Sequence, residues 1–515
     1  MLMTNYTRIV PIFFFILSLF SIAEGSVRVA FLDERPVKKI GTDEKFSPSH
    51  NLAMNLSIPI RLVKGESEGS LILLDSNNAK ELEVNFNEKP EKLIKLQIFR
   101  VETVVVENKY MVPDPLIPIS PGETFRLKDR QQLFYIKVTS LPSATAGKFL
   151  GNISFVNKNG EIESTIRMEI EVLPITIPKE MTITVQASIN PLENTNSQDT
   201  DQIKQMLRLL SDYRINGVAG MQFVDINNYK ELVRFALDDL NFHRVRLPTK
   251  TMYSWANPMS KKFPGGRPSE SSFEKGTRQA LSPYNSIIEN PRWAGKLQYK
   301  IWDEPPVKDF PDVISTYKAA RNAAPSLKLE LSKQPDQKLQ NVADIWITMP
   351  KLFNPADVEK QHRLGKEVWI YCNKIHGIDH PLFGMRILGW LIWRYNLDGY
   401  QFWAINWWKE DPWTTVSSQK KDFLKRGTFV YPDTETGKIY PSLRLESFRE
   451  GIEDMLLLRE IEKLANGSSP TASKARELLS KLRNVYEISE RYDNATNPGK
   501  FRNEILNVLM KGVEK

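Results

Sequence analysis

The sequence predicts a multidomain protein: an N-terminal antiparallel β-sandwich, then a (β/α)8 TIM-like barrel, then a helical C-terminal extension. Three observations carry this expectation. Short β-branched or alternating runs, punctuated by Pro, Gly and Asn, fill residues 26–178, which is the pattern of a sandwich. From Met181 onward short apolar runs alternate with amphipathic stretches of helical length, the trace of repeated strand and helix units around a parallel sheet. Beyond residue 412 a polar connection leads into a strongly helical tail.

Taken in order, residues 1–25 read as a signal peptide, because Arg8 precedes the apolar run 9–20 and Ala23 and Gly25 suit a cleavage site. That run is shorter than the roughly 20 residues a spanning helix needs, and no Cys follows it for lipid attachment. The expectation is a secreted or periplasmic protein with no stable membrane span after signal cleavage. In 26–178 the strand-like runs include 71–74, 93–106, 133–138 and 164–172, with the proline-rich stretch 113–121 among the separators. Segment 173–179, with Pro174 and Pro178, has the composition of a domain junction.

The barrel is expected over 181–412, with strands at 183–189, 217–223, 244–247, 298–303, 327–331, 345–349, 367–372 and 399–405. Helices are expected at 200–213, 229–240, 311–323, 355–364 and 383–395. Segment 249–293 has little periodicity and contains Pro264, Gly265, Gly266 and Pro268, so it reads as a functional loop or a disordered insert. In the extension 413–515, Leu445, Phe448, Ile452, Met455, Leu456 and Ile461 recur at helical spacing, predicting a helix over 443–464 packed on the barrel. Further helices are expected at 472–486 and 501–510.

Composition excludes several functions. The formal charge is +8, but Lys and Arg are interleaved with Asp and Glu, so nucleic acid is a poor partner and an anionic glycan at most weakly favoured. Cys372 is the one cysteine, which rules out an internal disulfide and suits a small buried apolar residue. His376, Asp379 and His380 imitate a metal-ligand spacing, yet with five histidines in all and no supporting Cys the histidines read better as solvated or hydrogen-bonding loop residues. No metal and no cofactor are expected.

The chemistry concentrates in two stretches. In Gln298-Tyr-Lys-Ile-Trp302-Asp303-Glu304-Pro305-Pro306 a buried strand delivers two adjacent carboxylates at its C-terminal end, the active-site face of a barrel. Neighbouring strand residues point to opposite sides, so a joint site requires the chain to turn at Asp303, and otherwise the pair is an ordinary solvated turn. Glycoside cleavage gives the pair a purpose, since the leaving oxygen needs a proton and the anomeric carbon a stabilising partner. If the sugar carries a 2-acetamido group, its carbonyl oxygen can attack, with Asp303 orienting the amide nitrogen and Glu304 protonating the leaving group. The second stretch, 386–408 with Asp411-Pro-Trp413, is dense in aromatics, suiting either a core or a sugar platform. Phe402 and Trp390 read as core. Trp403, Asn406, Trp407 and Trp408 are candidate substrate-binding residues, as are Tyr371 and Asn373 after the preceding strand.

Together Asp303-Glu304-Pro305, Val368-Trp-Ile-Tyr371-Cys372, the stretch 386–408, Gly427 with Tyr431-Pro432, and the stretch 444–454 resemble, in order, the catalytic domain of glycoside hydrolase family 123, also catalogued as domain of unknown function 4091. The resemblance covers about 181–464. It implies β-N-acetylgalactosaminidase activity by substrate-assisted retention on a glycan or glycoconjugate, with Asp303 as amide stabiliser and Glu304 as acid/base. Two other readings stay open at this point: a non-catalytic cell-surface glycan-binding protein, and a glycosidase of different sugar specificity on the same fold.

Overall fold

A computed structural model of the chain describes residues 27–32, 34–40, 45–46, 55–76, 81–127, 130–189, 200–221, 225–248, 269–408, 411–414 and 426–513. The expected signal peptide and the 249–268 part of segment 249–293 lie outside the described residues.

The N-terminal region is built from β1 (Val27–Leu32), β2 (Lys38–Lys39), β3 (Asn55–Lys64), β4 (Ser67–Ser76), β5 (Glu81–Phe86), β6 (Ile94–Val106), β7 (Tyr110–Ile119), β8 (Glu123–Arg126), β9 (Gln131–Ser140), β10 (Gly147–Asn157) and β11 (Ile162–Thr176). They make a six-stranded sheet, β1-β4-β9-β6-β7-β2, and a five-stranded sheet, β3-β11-β10-β5-β8. Alternation turns one side of each strand inward. Ile72 and Leu74 of β4 and Phe134 and Ile136 of β9 thus share a core with Ile153 and Phe155 of β10 and Ile166 and Met168 of β11.

Two expectations are corrected here. The sheets are not wholly antiparallel, because β3 and β11 pair in parallel; seven strands intervene between them, so no tight hairpin dictates their direction. The proline-rich stretch 113–121 is no separator but lies largely inside β7. Strand β2 covers only Tyr110 and Met111, and beyond them β7 is met by the single bridge from Pro115 to Ser442 rather than by a strand, an outer position where proline is tolerated.

Eight parallel strands then close a barrel: β12 (Thr184–Ile189), β13 (Gly217–Gly220), β14 (Arg244–Arg246), β15 (Leu297–Asp303), β16 (Lys328–Ser332), β17 (Ile345–Thr348), β18 (Glu367–Ile370) and β19 (Gly399–Phe402). Around it run α1 (Thr200–Asp212), α2 (Ile226–Arg234), α3 (Glu270–Leu281), α4 (Phe310–Ala323), α5 (Pro355–Arg363) and α6 (Phe383–Arg394). Helix α3 was not expected. Ser269 caps it by accepting from Ser272 N, and Phe273, Thr277 and Leu281 are its buried face, a spacing of four that one polar member hides from a hydropathy reading. Thr277 is accommodated because its hydroxyl donates to Phe273 O at 2.7 Å.

After β19 the chain forms the short pair β20 (Tyr431–Pro432) and β21 (Ile439–Tyr440), then α7 (Leu443–Ala465), α8 (Pro470–Arg483) and α9 (Arg502–Val513). Ser442 caps α7 by accepting from Leu445 N. Helix α7 lies against α6 at the closest possible approach, for a Cβ on Gly389 would stand 1.9 Å from Gly451 O. Its other side meets the N-terminal sheets. Arg444 reaches Asp114 of β7 at 2.8 Å, Glu446 takes Lys137 of β9 at 2.9 Å, and Arg449 donates to Ser67 O of β4 at 2.7 Å. The 444–454 motif therefore ties the helix that follows the barrel to the N-terminal sheets.

Candidate active site

The end of β15 decides the site. In register, Lys300 pairs with Glu330 and Asp303 with Ser332, so three steps along β15 match two along β16. That one extra residue is a β-bulge, and it reverses the alternation, so Asp303 faces inward like Lys300. The next residue, Glu304, has φ 47°, a left-handed backbone that costs a non-glycine residue about 1–3 kcal/mol and that clusters at functional sites. Its N–H donates to Ser332 O at 3.0 Å. Bulge and turn together bring two adjacent carboxylates to one cavity, as a joint site requires.

That cavity has a volume of about 340 Å³ and is lined by Asp303 and Glu304 together with Ser188, Arg246, Lys300, Ser332, Tyr371, Asn373, Gln401 and Trp403, among others. It opens at the C-terminal ends of the barrel strands, and its floor is polar. Gln401 donates to Gln186 Oε1 at 2.8 Å, Gln186 donates in turn to Gln298, and Arg246 binds Glu330 at 2.6 Å and Ser188 Oγ at 3.2 Å. The ammonium of Lys300, 2.7 Å from Asp303 Oδ1, outweighs burial. With hydrogen bonds from Lys300 and Ser332 and the charge of Arg246, it holds the Asp303 carboxyl below the usual range. Glu304 accepts a hydrogen bond from the Tyr371 hydroxyl. Burial, that bond and the nearby negative charge push the Tyr371 phenol upward, so it stays a donor.

Of the residues nominated from sequence, Asp303, Glu304, Tyr371, Asn373 and Trp403 meet at this cavity. Asn373 Oδ1 is buried without a hydrogen-bond partner among the described residues. Three nominees are not among the lining residues. Asn406 is 2% exposed and bridges Thr428; Trp408 turns its indole N–H to Val430 O at 2.9 Å; Trp407 packs on Trp403 with ring centroids 4.7 Å apart. The reason is local: the chain past Phe402 pairs with segment 427–430, Trp407 N donating to Gly427 O and Phe429 N to Ile405 O, each at 2.8 Å. Only a glycine fits there, since a Cβ on Gly427 would meet Trp403 at 2.8 Å and Trp407 at 2.9 Å. Phe402 and Trp390 are fully buried. His376 is buried too, stacked on Phe402 and hydrogen-bonded to Tyr400 at 2.6 Å. Trp302 faces α4, its indole donating to Thr316 Oγ1 at 2.9 Å.

Sequence reasoning passed over Arg246, Lys300, Ser332 and Gln401. A signal was present for Arg246 in the alternation Arg244-Val-Arg246 within an otherwise apolar barrel. For Lys300 it lay in the polar alternation Gln298-Tyr-Lys300.

The catalytic-domain profile of glycoside hydrolase 123 matches residues 192–461. The chain belongs to glycoside hydrolase family 123. The matched region of this family 123 protein runs from just before α1 into α7, so it includes the helix that follows the eighth barrel strand. Among solved structures, a family 123 glycoside hydrolase from Clostridium perfringens, studied for glycolipid glycan hydrolysis, aligns with a TM-score of 0.68. It has 14% identity over 89% of this chain and 94% of that one, a likeness that shows the fold. A β-glucuronidase from Parabacteroides merdae aligns at a TM-score of 0.34 with 10% identity, over 82% of this chain and 52% of that one, too little to carry an argument. No curated protein sequence matches the chain.

Proposed function

We propose that this family 123 glycoside hydrolase is a secreted enzyme that removes terminal β-linked N-acetylgalactosamine, or a related 2-acetamido sugar, from a glycan by substrate-assisted retaining hydrolysis. The observation that carries the reading is the pair Asp303 and Glu304 facing one cavity from successive positions. Residues so close in sequence do not suit the opposed acid and nucleophile of ordinary retention, which stand roughly 5 Å apart on either side of the bond. They suit an internal nucleophile.

In the first step the acetamido carbonyl oxygen bonds to the anomeric carbon as the glycosidic bond breaks. Glu304 passes its proton to the leaving oxygen, and Asp303 accepts the amide N–H, balancing the positive charge that spreads into the new ring. In the second step water adds to the anomeric carbon, Glu304 takes its proton, and the amide is released with configuration retained. Tyr371 holds Glu304 from the side. Trp403 offers an indole face to the sugar, and Asn373 Oδ1 awaits a hydroxyl donor.

Two aryl glycosides test this. An aryl β-N-acetylgalactosaminide is expected to be cleaved and the matching β-galactoside not; equal turnover of both rules out substrate assistance. Glu304→Gln is expected to lose at least a hundredfold in kcat on substrates whose leaving group needs a proton, and a fully active variant removes Glu304 from the mechanism.

A further inference from the structure

The bulge that turns Asp303 inward has a second effect. Three steps along a regular strand end on the opposite face; with one extra residue inserted, Lys300 and Asp303 share a face, Nζ 2.7 Å from Oδ1. The Lys300 side chain is 14% exposed and that of Asp303 51%. The cation therefore reaches the carboxylate from the barrel interior and leaves its outer side to the cavity.

The neighbourhood makes this contact matter. Asp303 is faced by Glu304 on its own turn, Arg246 from β14, Ser332 from β16, Tyr317 from α4 and Tyr371 beyond β18, with Glu330 of β16 beside Lys300 in register. Arg246 is taken up by Glu330 at 2.6 Å, and among the described residues Lys300 is the cation in direct contact with Asp303. Neighbouring carboxylates resist ionising together, and a cation on one of them decides which stays charged.

We propose that Lys300 is the positioning residue of Asp303, anchoring Oδ1 so that the remaining lone pairs of the carboxylate are aimed at the substrate's 2-acetamido N–H. The proposal rests on the reading of Asp303 as the amide partner. It predicts that replacing Lys300 changes the chemical step more than the binding of substrate, and that charge alone, as in arginine, largely restores the site.

The test has an arm that needs no turnover. Aspartate labelled with carbon-13 at Cγ, with Asp303→Asn to assign the resonance, reports the titration of Asp303 by NMR. Lys300→Met is expected to raise the midpoint by about one pH unit or more, and Lys300→Arg to hold it near wild type. In the kinetic arm, on the aryl β-N-acetylgalactosaminide, the ionised form of Asp303 is lost as pH falls through its midpoint. The acid limb of kcat/KM should therefore move to higher pH in Lys300→Met, with kcat about tenfold lower and KM changed less. An unmoved midpoint overturns the proposal, and so does a moved midpoint with unchanged kcat and acid limb. Equal turnover of galactoside and acetamido sugar by wild type instead sinks the reading of the reaction, while the NMR arm still decides whether Lys300 governs Asp303.

Discussion

At the residue scale, the active-site chemistry depends on contacts that hold the two carboxylates differently. Asp303 has a cation in van der Waals reach, whereas Glu304 has a neutral hydroxyl donor in Tyr371. A hydrogen bond contributes about 0.5–1.5 kcal/mol, a range of roughly twofold to tenfold in rate if the contact orients the acid at the transition state. Tyr371→Phe is thus expected to lower kcat/KM by that factor with little change in melting temperature, because the ring still packs on Ile345, Ile347 and Trp369. Wild-type kinetics in this variant would show that Glu304 needs no lateral support. The carboxylate pair was legible from its place at the end of an apolar strand. The contact of Lys300 with Asp303 was not, because the inward turn of Asp303 follows from a bulge visible only in the register with β16.

At the element scale, the barrel depends on how closely α7 is set against α6. Each of Gly389 and Gly451 faces the backbone of the other helix, a Cβ on Gly451 falling 2.2 Å from Arg386 O. The approach lets Arg386 of α6 reach Asp454 of α7 at 2.7 Å, fully buried, with Trp390 Nε1 adding a bond at 3.0 Å. Gly389→Ala is expected to force the helices apart and to cost about 1–3 kcal/mol or more, the range for overpacking, measured as a lower midpoint in denaturant. An unshifted midpoint would mean that the helix pair yields easily. The eight strands could be read from the sequence because each is a short apolar run between amphipathic stretches. Helix α3 could not, since one of its three inward positions is a threonine.

At the scale of the whole molecule, α7 carries charges that meet both the N-terminal sheets and the barrel, and most are buried. Arg449 binds Glu446 and Glu453, and Arg214 of the barrel also binds Glu453, at 3.1 Å. Arg502 of α9 reaches Glu66 at 2.8 Å and Glu68 at 3.0 Å on the N-terminal sheets. Burial pushes the Glu68 carboxyl up to about 8, against the attraction of Arg502, and Glu66 is raised as well. The folded protein thus holds a proton that the unfolded chain releases near 4.5. A raised folded pKa means that the contribution to stability is complete below that lower value and declines as pH rises towards 8. Urea unfolding at pH 6 and pH 9 should show wild type weaker at the higher pH, and Glu68→Gln should narrow the difference, Glu66 leaving a residue of it. An equal difference in both proteins would place the proton elsewhere.

The sequence by itself determined the family, the order of the eight barrel strands and the carboxylate pair at the end of β15, because each is written in residues close together along the chain. The tertiary structure alone decided which way those residues face. The bulge against β16, the left-handed turn at Glu304, the burial of Asn406 against Thr428 and the diversion of Trp408 to Val430 all arise from pairing between segments distant in sequence. So does the use of the 444–454 motif to bind the N-terminal sheets. Which face a side chain presents is set by the register of its partners, and register is a property of the closed barrel rather than of any one strand.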